Sequence, residues 1–209
     1  MVISKIPNQI IKEPLKPLNL KRVDSIALHH MATDAGIKAI ESIHINQDWR
    51  AIGYNFWVGF DGTVYEGRGF NVGAGVEGQN DHIISIGFQG DYHSNKRQMP
   101  DVQYNAGIDI IQYVLENVPN IKRIGGHTEF MATACPGRYF PLEEMKTLKK
   151  RVQTMYYDTI DACPSWARPC VQKAIENGYV KGDEQGRLRL TDDRIWTLVV
   201  CMRINGIMY

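Results

Sequence analysis

The chain has 209 residues, of which 44% are hydrophobic and 22% are charged, a composition typical of globular proteins with a buried core. It carries 24 Lys and Arg residues against 23 Asp and Glu residues, for a formal net charge of +1. The chain therefore lacks the basic excess that drives general binding to nucleic acids. No apolar stretch approaches the roughly 20 residues that a membrane-spanning helix needs. We expect neither nucleic-acid binding nor membrane insertion.

The first 21 residues contain three prolines and several charges. They offer none of the apolar cores, about 7–15 residues long, that characterise signal peptides. We therefore expect a protein that is made in the cytoplasm without a signal peptide. In that compartment its four cysteines are expected as reduced thiols or metal ligands rather than as disulfides.

Residues of about 20 to 153 show the patterns of one mixed α/β unit. Residues 53–67 predict a hairpin, because strand-forming residues flank Asp61-Gly62, a dipeptide that accepts positive φ in tight turns. Hydrophobic periodicity predicts the other elements in chain order: a strand at 25–30, a helix at 36–47, a buried strand at 83–89, a helix at 101–117, a strand at 121–125 and an amphipathic helix at 141–153.

The pattern changes after residue 155. Residues 156–162 have no clear period and predict a linker, and residues 163–209 predict a small helical C-terminal domain. We expect Ser165 and Thr191 to cap its two helices and Gly178 to end the first one. About 47 residues bury little surface alone. We therefore expect this domain to pack on the first one or on a second copy, which would make a homo-oligomer.

Two histidines and a later loop contain the residues best suited to bind a metal. His29 and His30 end the first predicted strand and point to opposite faces, so only one of them can join His127 and Cys135. Two imidazoles and a thiolate suit zinc with its fourth position open to water. The alternative is that His127 is a hydrogen-bonded loop histidine and Cys135 a small buried residue.

Six motifs occur in the order seen in zinc-dependent N-acetylmuramoyl-L-alanine amidases: 29–33 (HHMAT), 53–56 (GYNF), 61–69 (DGTVYEGRG), 85–87 (SIG), 126–129 (GHTE) and 134–137 (ACPG). The chain therefore resembles this family, which includes phage lysozyme-type amidases and peptidoglycan recognition proteins. The resemblance implies an α/β catalytic domain at 1–155, with a mixed central β-sheet flanked by helices. With its small tail, the chain looks most like a phage endolysin.

The resemblance also implies roles for particular residues. His29 rather than His30 matches the ligand position, together with His127 and Cys135. Tyr54 matches the active-site tyrosine, and Thr133 stands where phage enzymes often carry a lysine. These two hydroxyls are the candidate catalytic donors. Alternatively, Tyr54 packs beneath the groove and Thr133 caps a loop.

The function implied is hydrolysis of the amide bond between N-acetylmuramic acid and L-alanine of bacterial peptidoglycan by zinc-activated water. The protein would reach the cell wall after release from the producing cell. One alternative is a receptor that binds peptidoglycan without cleaving it. Another is a cysteine hydrolase with Cys135 as nucleophile and His127 as base.

Some positions depart from the family pattern. Gly75 stands where relatives carry histidine in Gly-Ala-His, and His82 stands where an asparagine is usual, so contacts with the substrate are expected to differ. The tail resembles one repeat of the surface-layer-homology type, which implies a wall-binding module. The alternative is a structural or dimerising helix pair, and its aromatic residues could either stack on sugars or fill the core: Trp166, Tyr179 and Trp196.

Overall fold

The computed structural model describes residues 2–148 and 157–207. The chain divides into two compact units, Met1–Arg151 and Val152–Tyr209. Among the residues described, the longest and most apolar helices still fall short of what is needed to cross a membrane.

The first unit is built on a six-stranded mixed sheet with the strand order β1-β4-β3-β5-β2-β6. Its strands are β1 (Ile3–Lys5), β2 (Ser25–His30), β3 (Phe56–Val58), β4 (Val64–Glu66), β5 (Ile83–Phe88) and β6 (Arg123–Gly126). β3 and β4 pair antiparallel and the other neighbours pair parallel. Every residue of β2 and β5 is buried, as expected for central strands covered on both faces.

Three helices accompany the sheet: α1 (Ile37–Asn46), α2 (Asp101–Asn117) and α3 (Leu142–Lys146). The apolar side of α2 packs with Phe56 and Val58, whereas α1 packs with Trp57, which lies between them in β3. Alternate residues of a strand face opposite sides of its sheet, so α1 and α2 cover opposite faces. The predicted fold class, a mixed central sheet flanked by helices, is confirmed.

Most elements of the first unit lie where the sequence predicts them. The hairpin turns at Gly62, which has a φ of +78°. The short edge strand β1 was not predicted. The last predicted helix, at 141–153, ends at Lys146, because the amides of Thr147 and Leu148 bond carbonyls three residues back instead of four. Residues 149–153 lie outside the described part of the chain.

The second unit contains α4 (Arg168–Glu176) and α5 (Asp192–Ile204). Thr191 caps α5 as predicted, since its Oγ1 accepts a hydrogen bond of 3.3 Å from the amide of Arg194. Gly178 has a φ of +74°, the left-handed conformation predicted for a helix end. Ser165 does not cap α4. That helix begins only at Arg168, with Pro169 in its first turn.

The segment expected to be a linker contributes to the second unit wherever it is described. Tyr157 is buried and pairs with Leu190 through backbone hydrogen bonds. Ile160 also packs against this small core. Residues 157–162 therefore belong to the second unit, and residue 156 lies outside the described range.

Three large aromatic residues of the second unit lie on its surface instead of in its core. Trp166, Tyr179 and Trp196 are 51%, 61% and 58% exposed. The core is filled instead by smaller residues such as Cys170 and Val171. The two indole rings of Trp166 and Trp196 lie 5.1 Å apart, centroid to centroid.

Candidate metal centre and groove

The topology of the sheet brings the three predicted ligands together. His29 lies near the end of β2, and His127 directly follows β6, which is the parallel neighbour of β2. The carboxyl ends of parallel neighbours meet at one edge of the sheet, so residues 98 positions apart become adjacent. Cys135 returns to this edge through a loop that is closed by a hydrogen bond of 2.8 Å from the Thr128 amide to the Cys135 carbonyl.

The side chains of His29, His127 and Cys135, which we call the metal cluster, lie close enough together to bind one metal ion. Each offers one ligand atom, and these atoms lie within 4.8 Å of one another. His29 Nδ1 is 3.8 Å from Cys135 Sγ. Two ligands bound to tetrahedral zinc at about 2.0 and 2.3 Å stand about 3.5 Å apart. The arrangement and its donor types therefore fit zinc, and His29, His127 and Cys135 would hold the ion.

Burial favours the neutral form of both imidazoles, which is the form that binds a metal, but it opposes ionisation of the thiol. It lowers the pKa of His29 well below the ordinary value, with further lowering by His127 and His30. Burial also lowers the pKa of His127. It raises the pKa of the Cys135 thiol to about 12. Both histidines are thus neutral near pH 7, as metal ligands must be, and the thiol keeps its proton in the absence of a cation.

Tyr54 lies beside the metal cluster. Its ring centroid is 5.2 Å from that of His29 and 5.6 Å from that of His44. Gly87 is opposite His29 in the sheet, and a Cβ there would come within 3.1 Å of the Tyr54 ring. Burial raises the pKa of the Tyr54 hydroxyl, so the residue remains a hydrogen-bond donor at neutral pH.

Thr133 is exposed and lies in the loop before Cys135. Its Oγ1 accepts a hydrogen bond of 3.3 Å from the Cys135 amide. The residue also lines the groove described below. The side chain therefore supports the loop, and its hydroxyl remains accessible to a molecule bound in the groove.

Glu129 holds the turn that carries His127. Its Oε1 accepts a hydrogen bond of 3.1 Å from the amide of Gly126, the residue before His127. Arg123 and Lys146 form ion pairs with the same carboxylate, at 2.9 and 3.2 Å. Glu129 thus orients the loop and lies outside the ligand set.

His30 does not join the metal cluster. Its Nδ1 accepts a hydrogen bond of 3.0 Å from the amide of Tyr92, and it lies 3.7 Å from Asp91 Oδ1. Adjacent residues of a strand face opposite sides, and the contacts of His29 and His30 follow that rule.

The cluster opens into a groove of about 430 Å³. All five predicted site residues line it: His29, Tyr54, His127, Thr133 and Cys135. Its lining also includes four polar or aromatic residues for which no site role was predicted: Trp49, Asp91, His93 and Ser94. For Asp91, His93 and Ser94 the sequence offers one signal. An aspartate side chain can accept hydrogen bonds from the backbone amides two and three residues later.

Two departures from the family pattern have different positions in the structure. Gly75 lines the groove, whereas His82 lies outside it beside Asp81, with 2.9 Å between His82 Nδ1 and Asp81 Oδ1. A Cβ at Gly75 would lie 2.4 Å from Ser85 Oγ and 3.3 Å from His29 Nε2. The backbone of residue 75 therefore packs closely against Ser85 and the ring of His29.

Comparisons of this chain with a family model and with individual proteins point to the same family. The family model described as N-acetylmuramoyl-L-alanine amidase matches residues 19–138. A peptidoglycan-recognition protein of Drosophila simulans is 32% identical over 146 residues, which cover 64% of this chain and 78% of that protein.

Solved structures of two kinds share the fold. The endolysin N-acetylmuramoyl-L-alanine amidase LysCS from Clostridium intestinale URNW has a TM-score of 0.62 at 27% identity, covering 69% of this chain and 92% of that chain. A complex of the peptidoglycan recognition proteins LCa and LCx with tracheal cytotoxin has a TM-score of 0.61 at 30% identity, with coverage of 67% and 92%.

Proposed function

The chain belongs to the N-acetylmuramoyl-L-alanine amidase family, and we propose that it is a zinc-dependent hydrolase that cleaves the bond between N-acetylmuramic acid and L-alanine in bacterial peptidoglycan. The observation that carries this proposal is the set of His29, His127 and Cys135 at the base of an open groove. Bound zinc would lower the pKa of a water molecule to about 7 and polarise the scissile carbonyl.

The residues around the cluster would position the substrate. The Tyr54 hydroxyl, which keeps its proton at neutral pH, would donate a hydrogen bond to the scissile carbonyl oxygen. Thr133 would provide a second donor from the loop. Such donors are worth a few kcal/mol each when they are preorganised toward the charge that develops during the reaction.

The family contains proteins named as amidases and proteins named as recognition proteins, so a receptor is the main alternative. A complete set of two imidazoles and a thiolate supports the enzyme, because a receptor needs no open metal position. A thiol nucleophile has less support. The pKa of Cys135 is raised to about 12, and a protonated thiol is a weak nucleophile.

Metal dependence separates these alternatives. We expect lysis of purified cell walls to stop when a chelator removes the metal and to return when zinc is added. Activity that persists in chelator would favour the cysteine hydrolase. A zinc-loaded protein that binds muropeptide without turnover would be a receptor.

The Cys135→Ser variant tests the ligand set itself. We expect it to lose zinc binding and lysis, because a hydroxyl replaces the soft thiolate, while affinity for muropeptide stays measurable. Full activity in this variant would contradict the metal assignment. Cys201→Ser is a matched control, since that cysteine is exposed in the second unit.

We further propose that the second unit attaches the enzyme to cell walls. Its exposed Trp166, Tyr179 and Trp196 support this role, because indole and phenol rings suit the faces of sugars. The similarity to an endolysin supports the proposal that this protein acts on the wall after release from the cytoplasm of a phage-infected cell. The alternative role for the second unit is homo-oligomer formation.

A further inference from the structure

Residues 91–94, which we call the His93 loop, form a wall of the groove that the metal chemistry does not use. The loop follows β5, and hydrogen bonds hold its base. Asp91 Oδ1 accepts hydrogen bonds of 2.8 and 2.9 Å from the amides of His93 and Ser94. The carboxylate thus fixes the backbone of both residues.

Three neighbouring segments hold the His93 loop through Tyr92. The Tyr92 amide donates to His30 Nδ1 at 3.0 Å, and its carbonyl accepts from the Tyr139 amide at 2.9 Å. Its hydroxyl donates to Gln103 Oε1 at 2.5 Å. Strand β2, helix α2 and the segment after Cys135 therefore all position the loop. His30, the histidine left out of the metal cluster, is one of these supports.

The fixed backbone leaves the side chains of His93 and Ser94 exposed at the groove. Elsewhere in the groove, near the face of β2 that carries His29, the lining includes the aromatic residues Trp49 and Tyr54. The groove thus has an aromatic part and a part with an imidazole and a hydroxyl. Within the described residues, its lining contains neither lysine nor arginine.

We propose that His93 and Ser94 bind the stem peptide of the substrate beyond its second residue, through carbonyl and carboxylate oxygens. This inference rests on the proposed function and identifies which half of the substrate each part of the groove takes. Aromatic rings such as that of Trp49 suit the apolar face of a sugar. A peptide instead offers one carbonyl per residue together with its carboxylates, which are acceptors for imidazole and hydroxyl donors. His93 and Ser94 are therefore substrate-binding residues that act on affinity.

Binding measured by calorimetry on the full chain in chelator, where turnover is prevented, tests the assignment. The two ligands are muramyl dipeptide and muramyl tetrapeptide. We expect His93→Ala/Ser94→Ala to weaken tetrapeptide binding about 10-fold, as the loss of two hydrogen bonds predicts, and dipeptide binding about 2-fold or less. The single variant His93→Gln keeps a hydrogen-bond donor at this position. It should therefore retain much of the wild-type affinity for the tetrapeptide. His82→Ala is the control, since His82 lies outside the groove.

The outcomes are distinguishable. Unchanged affinity for both ligands in the double variant would overturn the inference and leave the proposed function intact. An equal loss for both ligands would also overturn it, because the contact would then lie with the sugar or the first two residues. A wild-type chain that binds neither muropeptide would contradict the proposed function and this inference together. Near-native circular dichroism and unchanged zinc content exclude unfolding as the cause of a loss.

Discussion

His29 and His30 are adjacent in β2 but have different surroundings, and these surroundings give the two histidines different expected roles. His29 lies with His127 and Cys135, and its pKa is lowered by burial. His30 instead accepts a hydrogen bond from Tyr92. One residue is suited to bind the ion, and the other supports the His93 loop.

Alanine variants of the two histidines should therefore separate these roles. We expect His29→Ala to lower zinc affinity by more than about 100-fold, because a direct ligand matters more than the surrounding groups, whose loss costs about 10- to 100-fold. His30→Ala should keep zinc affinity close to wild type and lose affinity for long-stem muropeptide. Zinc titration with a competing chelator measures both variants. An equal loss of zinc from both would contradict the assignment.

Gly75 gives a second test at this scale. A Cβ at this position would lie 2.4 Å from Ser85 Oγ and 3.3 Å from His29 Nε2. We expect Gly75→Ala to reduce zinc affinity about 10-fold, because the added methyl group would crowd Ser85 and shift the ring of His29. Gly36→Ala is the matched control, since Gly36 has no atom within 4 Å of its ideal Cβ. Equal zinc affinity in the two variants would show that the backbone around Gly75 adjusts freely.

At the scale of elements, β2, α2 and the hairpin could be predicted from the sequence because their patterns reflect local rules. The strand β2 is buried on both faces, α2 has a 3.6-residue apolar period, and the hairpin needs a positive φ at Gly62. β1 could not be predicted, because three residues are too short for a recognisable pattern and their place depends on pairing with β4 and on packing of Ile3 against the core. The His93 loop was missed for a similar reason, since its position depends on contacts with distant residues.

The cap of α5 allows a quantitative test of an element. Thr191 Oγ1 accepts a hydrogen bond from the Arg194 amide. We expect Thr191→Ala to destabilise the helix by about 1 kcal/mol, whereas Thr191→Ser should retain most of the stability. Amide hydrogen exchange across 192–204 measures the change. Unchanged protection in the alanine variant would show that packing alone maintains this end of the helix.

At the scale of the whole molecule, each unit has its own core and its own expected task. The first contains the three predicted metal ligands and the groove, and the second exposes paired indoles. The segment predicted as a linker, 156–162, contributes Tyr157 to the second core. A segment without periodicity can be recognised as irregular from sequence, but which core it joins depends on tertiary contacts.

The paired indoles test the division of tasks. We expect Trp166→Ala/Trp196→Ala to reduce co-sedimentation with purified cell walls while cleavage of soluble muropeptide stays unchanged, because the indoles lie outside the unit that contains the groove. The corresponding double phenylalanine variant keeps aromatic rings and should retain more wall binding. Unchanged co-sedimentation of the alanine variant would contradict the attachment role. A shift in its sedimentation coefficient without loss of wall binding would favour the oligomer instead.

The central claim is that this chain uses zinc held by His29, His127 and Cys135 to cut the bond between muramic acid and L-alanine. Mass analysis of products from purified walls treated with zinc-loaded protein tests it most directly. The proposed function predicts free stem peptides with new L-alanine amino termini, and their absence after treatment with the Cys135→Ser variant. Walls that yield no such termini, or that yield them equally with the variant, would contradict the claim.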